Sequence, residues 1–213
     1  MSNSPIDDIL KRLQKLQSEL EEEIDSLLQE KRQEFRYHLS KGKVKFEQGM
    51  KRLQRRHKLN TWKYLVNARI GHILTAPFIY MVIVPFLLLD MLVSIYQHIC
   101  FRVYGIPRVS RKDFIIIDRQ QLAYLNLIEK INCMYCGYAN GLIEFVREVS
   151  ARTEQYWCPI KHARRSPDPH RLVAQFVDYG DAESYKKKLQ LIQQDIATLR
   201  NRQSREVDDD MKS

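Results

Sequence analysis

Glycine is scarce in this chain, with seven among 213 residues, and none of the motifs G-x-x-x-x-G-K-[ST], G-x-S-x-G, H-E-x-x-H or G-x-G-x-x-G occurs. Phosphate-cradling loops, a nucleophile elbow and a zincin helix are therefore not encoded. No catalytic residue set stands out, and the chain gives no support to an enzyme. With 29% charged residues as well, the composition leans helical and leaves little material for sandwiches. Residues 1–60 hold no short apolar core behind a basic start, so no secretory leader is expected there. Cysteine is sparse too. Four thiols, two of them as C-x2-C, suit metal in a reducing compartment better than a disulfide framework. The Cys-bearing part is expected to face the cytoplasm. The length is compatible with one large domain or two small ones.

The most telling absence is local. Residues 70–89, "IGHILTAPFIYMVIVPFLLL", hold no charge, and Asp90 is the one formal charge between residues 70 and 101. Twenty uncharged residues match a helix crossing the roughly 30 Å hydrocarbon core. The whole run of 32 residues would extend about 48 Å as one straight helix, too long for a single untilted span. Pro77 and Pro85 favour a kink or break inside it. Both flanks are basic, with seven Lys or Arg in residues 50–69 and five in 101–120. A helix, a break and a returning helix would dip into one leaflet and satisfy both flanks and the reduced thiols. A single kinked span with a trailing interfacial helix is the alternative. Asp90 is either a functional residue at membrane depth, with His72 or His98 as partner, or an ordinary headgroup-boundary residue. Its place at the end of the uncharged run favours the second.

The net charge of +9 is equally local. Ten Lys or Arg against Glu47 put the entire excess in residues 41–69, which also carry Phe46, Trp62 and Tyr64. Basic residues with interleaved aromatics fit nucleic acid. Because the segment abuts the apolar run, attraction to anionic headgroups of the lipid bilayer explains the same charges more simply.

Both ends read as amphipathic helices. Ile6, Ile9, Leu13, Leu16 and Leu20 form a heptad seam that steps at Glu23 to Ile24, Leu27, Leu28, Phe35 and Leu39. Tyr185, Leu189, Ile192, Ile196 and Leu199 form a second seam, entered through Gly180 and a cap at Asp181 with Ser184. Segments 6–39 and 185–199 are thus candidates for coiled-coil pairing with each other, in a homo-oligomer or with a protein partner, or for simple packing on their own domain.

Between the apolar run and the second seam, "DFIIID" reads as a strand or linker. Asp118 then caps a helix running into Cys133 and Cys136, and a second helix through Leu142, Phe145, Val146 and Val149 ends in "WCPIKHARR". The pattern Cys133-x2-Cys136-x21-Cys158-x3-His162 supplies three thiolates and an imidazole, a closed tetrahedral set of the structural zinc type. One turn can aim the first pair, and a helical face the second. Cys100 and His170 are substitutes for His162. Buried free thiols, or a redox-active dithiol at Cys133 and Cys136, are the other readings.

"CMYCGY" and "WCPIKH" resemble the two knuckles of rubredoxin, C-x2-C-G-Y and C-P-x-C-G. That family binds redox iron through four thiolates. Here Lys161 and His162 stand where the fourth cysteine would follow, and the surroundings read as helical. Iron and electron transfer therefore form the alternative to zinc. More broadly, "APFIYMVIVPFLLLDMLVSIYQHICFRVYGIP", "CMYCGYANGLIEFVREVSARTEQYWCPIKHA" and "DYGDAESY" resemble a family of uncharacterised bacterial membrane proteins. The resemblance implies a bacterial inner-membrane setting and no activity.

The expectation is a mainly α, membrane-embedded protein with six parts. They are an amphipathic helix (1–40), a basic juxtamembrane segment (41–69), a membrane-embedded segment (70–104), a helical metal module (113–178), a heptad helix (181–204) and a disordered tail (205–213). Its expected role is that of a membrane-attached scaffold with a structural Cys3His zinc site.

Overall fold

A computed structural model describes residues 5–40 and 43–210 of the chain. The fold is mainly helical. Helix α1 spans Pro5–Glu34, with proline at its first turn, where a missing N–H is harmless. The helix expected to reach residue 39 stops earlier. Apolar spacing changes there from helical to alternating, at Tyr37 and Leu39 and again at Val44 and Phe46. Strand β1 (Tyr37–Ser40) accordingly pairs antiparallel with β2 (Lys43–Phe46), Tyr37 opposite Phe46 and Leu39 opposite Val44. Arg36 turns the corner from helix to strand at φ 46°. The basic stretch then continues as α2 (Gln48–Arg56) and α3 (Thr61–Val66).

Helices α4 (Ile70–Met81) and α5 (Ile83–Tyr96) follow, extended by a π-helical turn (Gln97–Phe101) and a last turn, α6 (Arg102–Tyr104). Together they form one helical run of 35 residues, Ile70–Tyr104. Pro85 has no N–H to give the Met81 carbonyl. The ladder is interrupted just there, and Val82 N–H reaches back three residues to the Ile79 carbonyl at 3.3 Å. The expected break and returning helix is thus replaced by a single interrupted run. Gly105 ends it at φ 75°, a conformation glycine reaches without a Cβ penalty.

Helix α7 (Arg111–Phe114) and a 3₁₀ turn (Arg119–Gln121) lead to the 31-residue helix α8 (Leu127–Trp157). Two expectations are corrected here. The start of α8 is set by a reciprocal capping box rather than by Asp118. Glu129 N–H donates to Asn126 Oδ1 at 3.0 Å, and Asn126 N–H donates to Glu129 Oε2 at 2.8 Å. The helix also runs unbroken through Cys133 and Gly141, where two helices joined by a knuckle were expected. Helix α9 (Ala182–Asp210) follows a 3₁₀ turn at Arg171–Gln175. Ser184 N–H donates to Asp181 Oδ1 at 3.0 Å at its N-terminus. It extends past residue 204, so the expected tail is helical as far as Asp210. No glycine or proline follows Gly180 to stop it. The last three tail positions lie outside the described residues.

The chain divides into two compact units. One comprises Lys15–Leu88 and Lys112–Leu142. In it the backbone of residues 114–116 crosses α8 over two glycines one turn apart. A Cβ at Gly141 would lie 2.5 Å from the Phe114 carbonyl oxygen, and one at Gly137 would lie 3.0 Å from that of Ile116. The glycine after Cys136 therefore serves a backbone crossing. Neither glycine takes up a positive φ, as a tight turn would favour.

The other unit comprises Met1–Gln14, Leu89–Arg111 and Ile143–Ser213. Ala151, Leu172 and Phe176 form a core cluster there, joined by Val173, and Phe101, Phe145 and Val149 are also buried. Pro159 ends α8, and Ile160 then forms a parallel bridge with Val177. Lys161 N–H donates to the Val177 carbonyl and Val177 N–H to the Pro159 carbonyl, both at 2.8 Å.

Candidate membrane-embedded site

A long helix whose apolar side chains are mostly exposed is the most conspicuous chemical feature of the molecule. The most apolar window of Ile70–Tyr104 has a mean hydropathy of 2.4, and 6% of it is buried. The run is long and apolar enough to cross a membrane. In water such a face would be costly, at roughly 25 cal/mol per Å2 of exposed apolar surface. Among the described residues no other helix meets the same criteria of length and composition.

Within the first unit, α4 is tied to the first half of α8. Tyr135 Oη donates to the Ile79 carbonyl at 2.9 Å, and Tyr80 Oη donates to Asn132 Oδ1. The Tyr80 and Tyr135 rings meet edge to face at 5.9 Å. The Ile79 carbonyl, which already accepts from Val82 N–H, thus gains a second donor from the neighbouring helix beside the interruption. The adjoining part of α8 suits that company, since residues 131–143 carry no charge. Upstream, α2 presents Lys51, Arg52, Arg55 and Arg56. Trp62 on α3 is 72% exposed, just ahead of Ile70. Basic and aromatic residues beside an apolar span are what a headgroup layer accommodates.

Within the second unit, Asp90 is buried and has a dedicated partner. Arg111 Nη2 donates to its carboxylate, and Ser94 Oγ does so at 3.2 Å. His98, offered by the sequence as a partner, instead meets Arg108, Nδ1 to Nη1 at 3.1 Å. Gln97 holds the same returning strand of chain at two points. Its Oε1 accepts from Val109 N–H at 2.7 Å, and its Nε2 donates to the Val109 carbonyl at 3.2 Å. Asp90 and Gln97 therefore clamp residues 105–111 back along the helix that precedes them. Chemically this is an anchor, and no nucleophile or acid–base pair is formed by it.

The predicted metal ligands are distributed along α8. Cys133 and Cys136 lie one turn apart in its first half, Cys158 follows its last residue, and His162 is exposed beyond Pro159. All four cysteines, Cys100 included, are free thiols. Cys133 and Cys136 belong to the first unit, and Cys158 and His162 to the second. Cys158 and His162 do not share a helical face, because Pro159 and the Ile160 bridge hold that segment extended. Among the described residues, no three His, Cys, Asp or Glu side chains are grouped so as to hold a metal. His170 is engaged elsewhere, with Nε2 2.9 Å from Glu154 Oε2 and its ring against Phe176.

The best-developed polar cluster was not anticipated from sequence. Glu148 Oε1 accepts from Arg171 Nη2 at 2.6 Å and from Arg152 Nε at 2.9 Å, and Arg152 Nη1 donates to the Pro107 carbonyl at 2.8 Å. Burial pushes the Glu148 carboxyl up, but the hydrogen bonds and charges of Arg171 and Arg152 outweigh it and hold the group below its ordinary range. The hydrogen bond to Glu148 in turn raises Arg171. The Glu148–Arg152 spacing of four on a helix was a readable signal. The Arg171 contact was not, since it joins residues 23 apart.

No family model, curated protein or solved structure matches this chain. Its function has to be argued from its own surfaces.

Proposed function

We propose that the chain is a membrane-attached interaction protein of the bacterial inner membrane, with its soluble parts in the cytoplasm. The observation that carries this reading is the Ile70–Tyr104 helix, whose most apolar window is 6% buried. Lipid is the partner that removes that surface from water. The basic residues of 41–69 would meet anionic headgroups, at about 1 kcal/mol per Lys or Arg near the surface. The Asp90–Arg111 pair and the Gln97–Val109 clamp then fix the chain where it leaves the apolar helix. The interaction part of the reading rests on α1, whose apolar stripe is exposed over its length. The zinc-scaffold version of the reading would draw on Cys133, Cys136, Cys158 and His162.

Membrane attachment is tested by fractionation of cells producing the full chain. The chain is expected to stay in the membrane pellet through an alkaline carbonate wash. Val84→Arg with Leu88→Arg, two charges on the exposed face, should move most of it out of that fraction. Release of the unaltered chain by carbonate alone would overturn the reading.

A further inference from the structure

Helix α1 carries its own information about what covers it. Every described side chain between positions 8 and 31 is exposed. Ile9, Leu13, Leu16, Leu20, Ile24 and Leu28 run along it, each at least 43% exposed. The other amphipathic terminal helix does not supply the cover, because Ile192 and Ile196 of α9 are already buried. Between positions 11 and 25 of α1 charge is segregated rather than mixed, while Asp7 and Asp8 precede this stretch and Glu30, Lys31, Arg32 and Glu34 follow it. Lys11, Arg12 and Lys15 form a basic block, and Glu19, Glu21, Glu22, Glu23 and Asp25 form an acidic one.

We propose that α1 pairs antiparallel with α1 of a second copy of this chain, centred near Ser18. With that centre Ile9 faces Leu28, Leu13 faces Ile24 and Leu16 faces Leu20, each layer occurring twice by the two-fold symmetry. Every apolar residue of the stripe then meets another. The basic block of each copy lies beside the acidic block of the other. Arg12 and Glu23 are eleven residues apart, about three helical turns, so they sit on the same flank of the stripe and meet across the pair. A parallel pair would instead set five carboxylates beside five carboxylates, within the roughly 10 Å over which charges act at 0.1 M salt. The charge pattern therefore selects both the occupant and its direction. Where the basic run of α1 ends, its complement begins on the same helix.

This inference rests on the interaction half of the proposed function and is independent of the membrane half. The test uses the full chain in mild detergent, with protein mass measured by light scattering across a dilution series at low and high salt. The unaltered chain is expected to reach the mass of two copies, with tighter association at low salt. Arg12→Glu with Lys15→Glu should weaken association by about tenfold or more, and so should Glu22→Lys with Glu23→Lys. All four substitutions in one chain should restore it, because positions 12 and 15 and the positions 22 and 23 that face them have exchanged signs. Circular dichroism on each variant separates lost pairing from lost helix.

A one-copy mass for the unaltered chain at all concentrations overturns the proposal. So does a two-copy mass that none of the substitutions alters, which would put the contact elsewhere. Failure of the fourfold variant to restore association, with helix content intact, overturns the antiparallel self-pair. None of these outcomes bears on carbonate resistance, so the two readings fail separately.

Discussion

The two terminal helices carry the same kind of pattern and meet opposite fates. On α9, Ile192 and Ile196 are 5% and 4% exposed, and Gln193 Nε2 donates to the Tyr156 carbonyl at 3.1 Å. On α1, Leu16 and Leu20 are 60% and 57% exposed. Hydrophobic spacing is therefore a demand for cover, and it does not say what provides it. The helix α9 finds cover inside its own unit, beside the last turns of α8. The helix α1 keeps its stripe in the open and carries opposite charge blocks along it, a combination that suits a second molecule.

That contrast is most easily broken by truncation. Ile196→Ala should cost about 2–5 kcal/mol of unfolding free energy, as buried large-to-small changes do. Leu20→Ala should stay within about 0.5 kcal/mol for the isolated chain, the range of exposed substitutions. Denaturant unfolding at a concentration too low for self-association measures both. Equal costs would mean that the two helices are covered alike.

Acid sharpens the contrast on the buried side. Glu148 is held below its ordinary range in the folded chain, so its contribution is fully present above the unfolded-state value near 4.5. It is lost as pH falls through the lower folded-state value. Glu148→Gln should remove that part of the acid sensitivity below about pH 4.5, at a cost near 1–3 kcal/mol at neutral pH. An unfolding profile between pH 3 and 7 that is unchanged by the substitution would show that Arg152 and Arg171 do not stabilise the carboxylate.

The smallest effect belongs to the thiols. Cys133→Ser with Cys136→Ser should change stability by no more than about 1 kcal/mol, since Cys136 is exposed and Cys133 partly so. Elemental analysis of the reduced, purified chain, with and without this double substitution, reads the metal directly. A full equivalent of zinc or iron that disappears with the double substitution would support the Cys3His site, and none in the unaltered chain would count against it.

Much of the fold was legible where periodicity alone decides. The uncharged run at 70–89, the cap at Asp181 and the helical ends could all be read locally. Other features needed closer local reading, such as the capping box in Asn126–Glu129 and the alternation at Tyr37, Leu39, Val44 and Phe46. The metal pattern shows a different limit, since spacing along a sequence does not reveal whether the intervening chain is straight. C-x2-C followed by glycine fits a knuckle, and it fits equally the inside of a helix. Gly137 and Gly141 lie inside α8 and meet the backbone of Phe114–Ile116, a contact that no local pattern announces.

The sequence by itself thus determined that this chain is helical, that residues 70–89 suit a hydrocarbon environment, and that its ends present apolar stripes. Those properties follow from composition and period, which act over one or two turns. Only the tertiary structure decided that α8 is continuous, that Asp90 pairs with Arg111, and that Glu148 joins Arg171. These depend on which distant segments approach each other. It also decided that α9 buries Ile192 and Ile196 of its stripe while α1 leaves its stripe exposed from Ile9 to Leu28, because burial is a property of neighbours and not of a pattern.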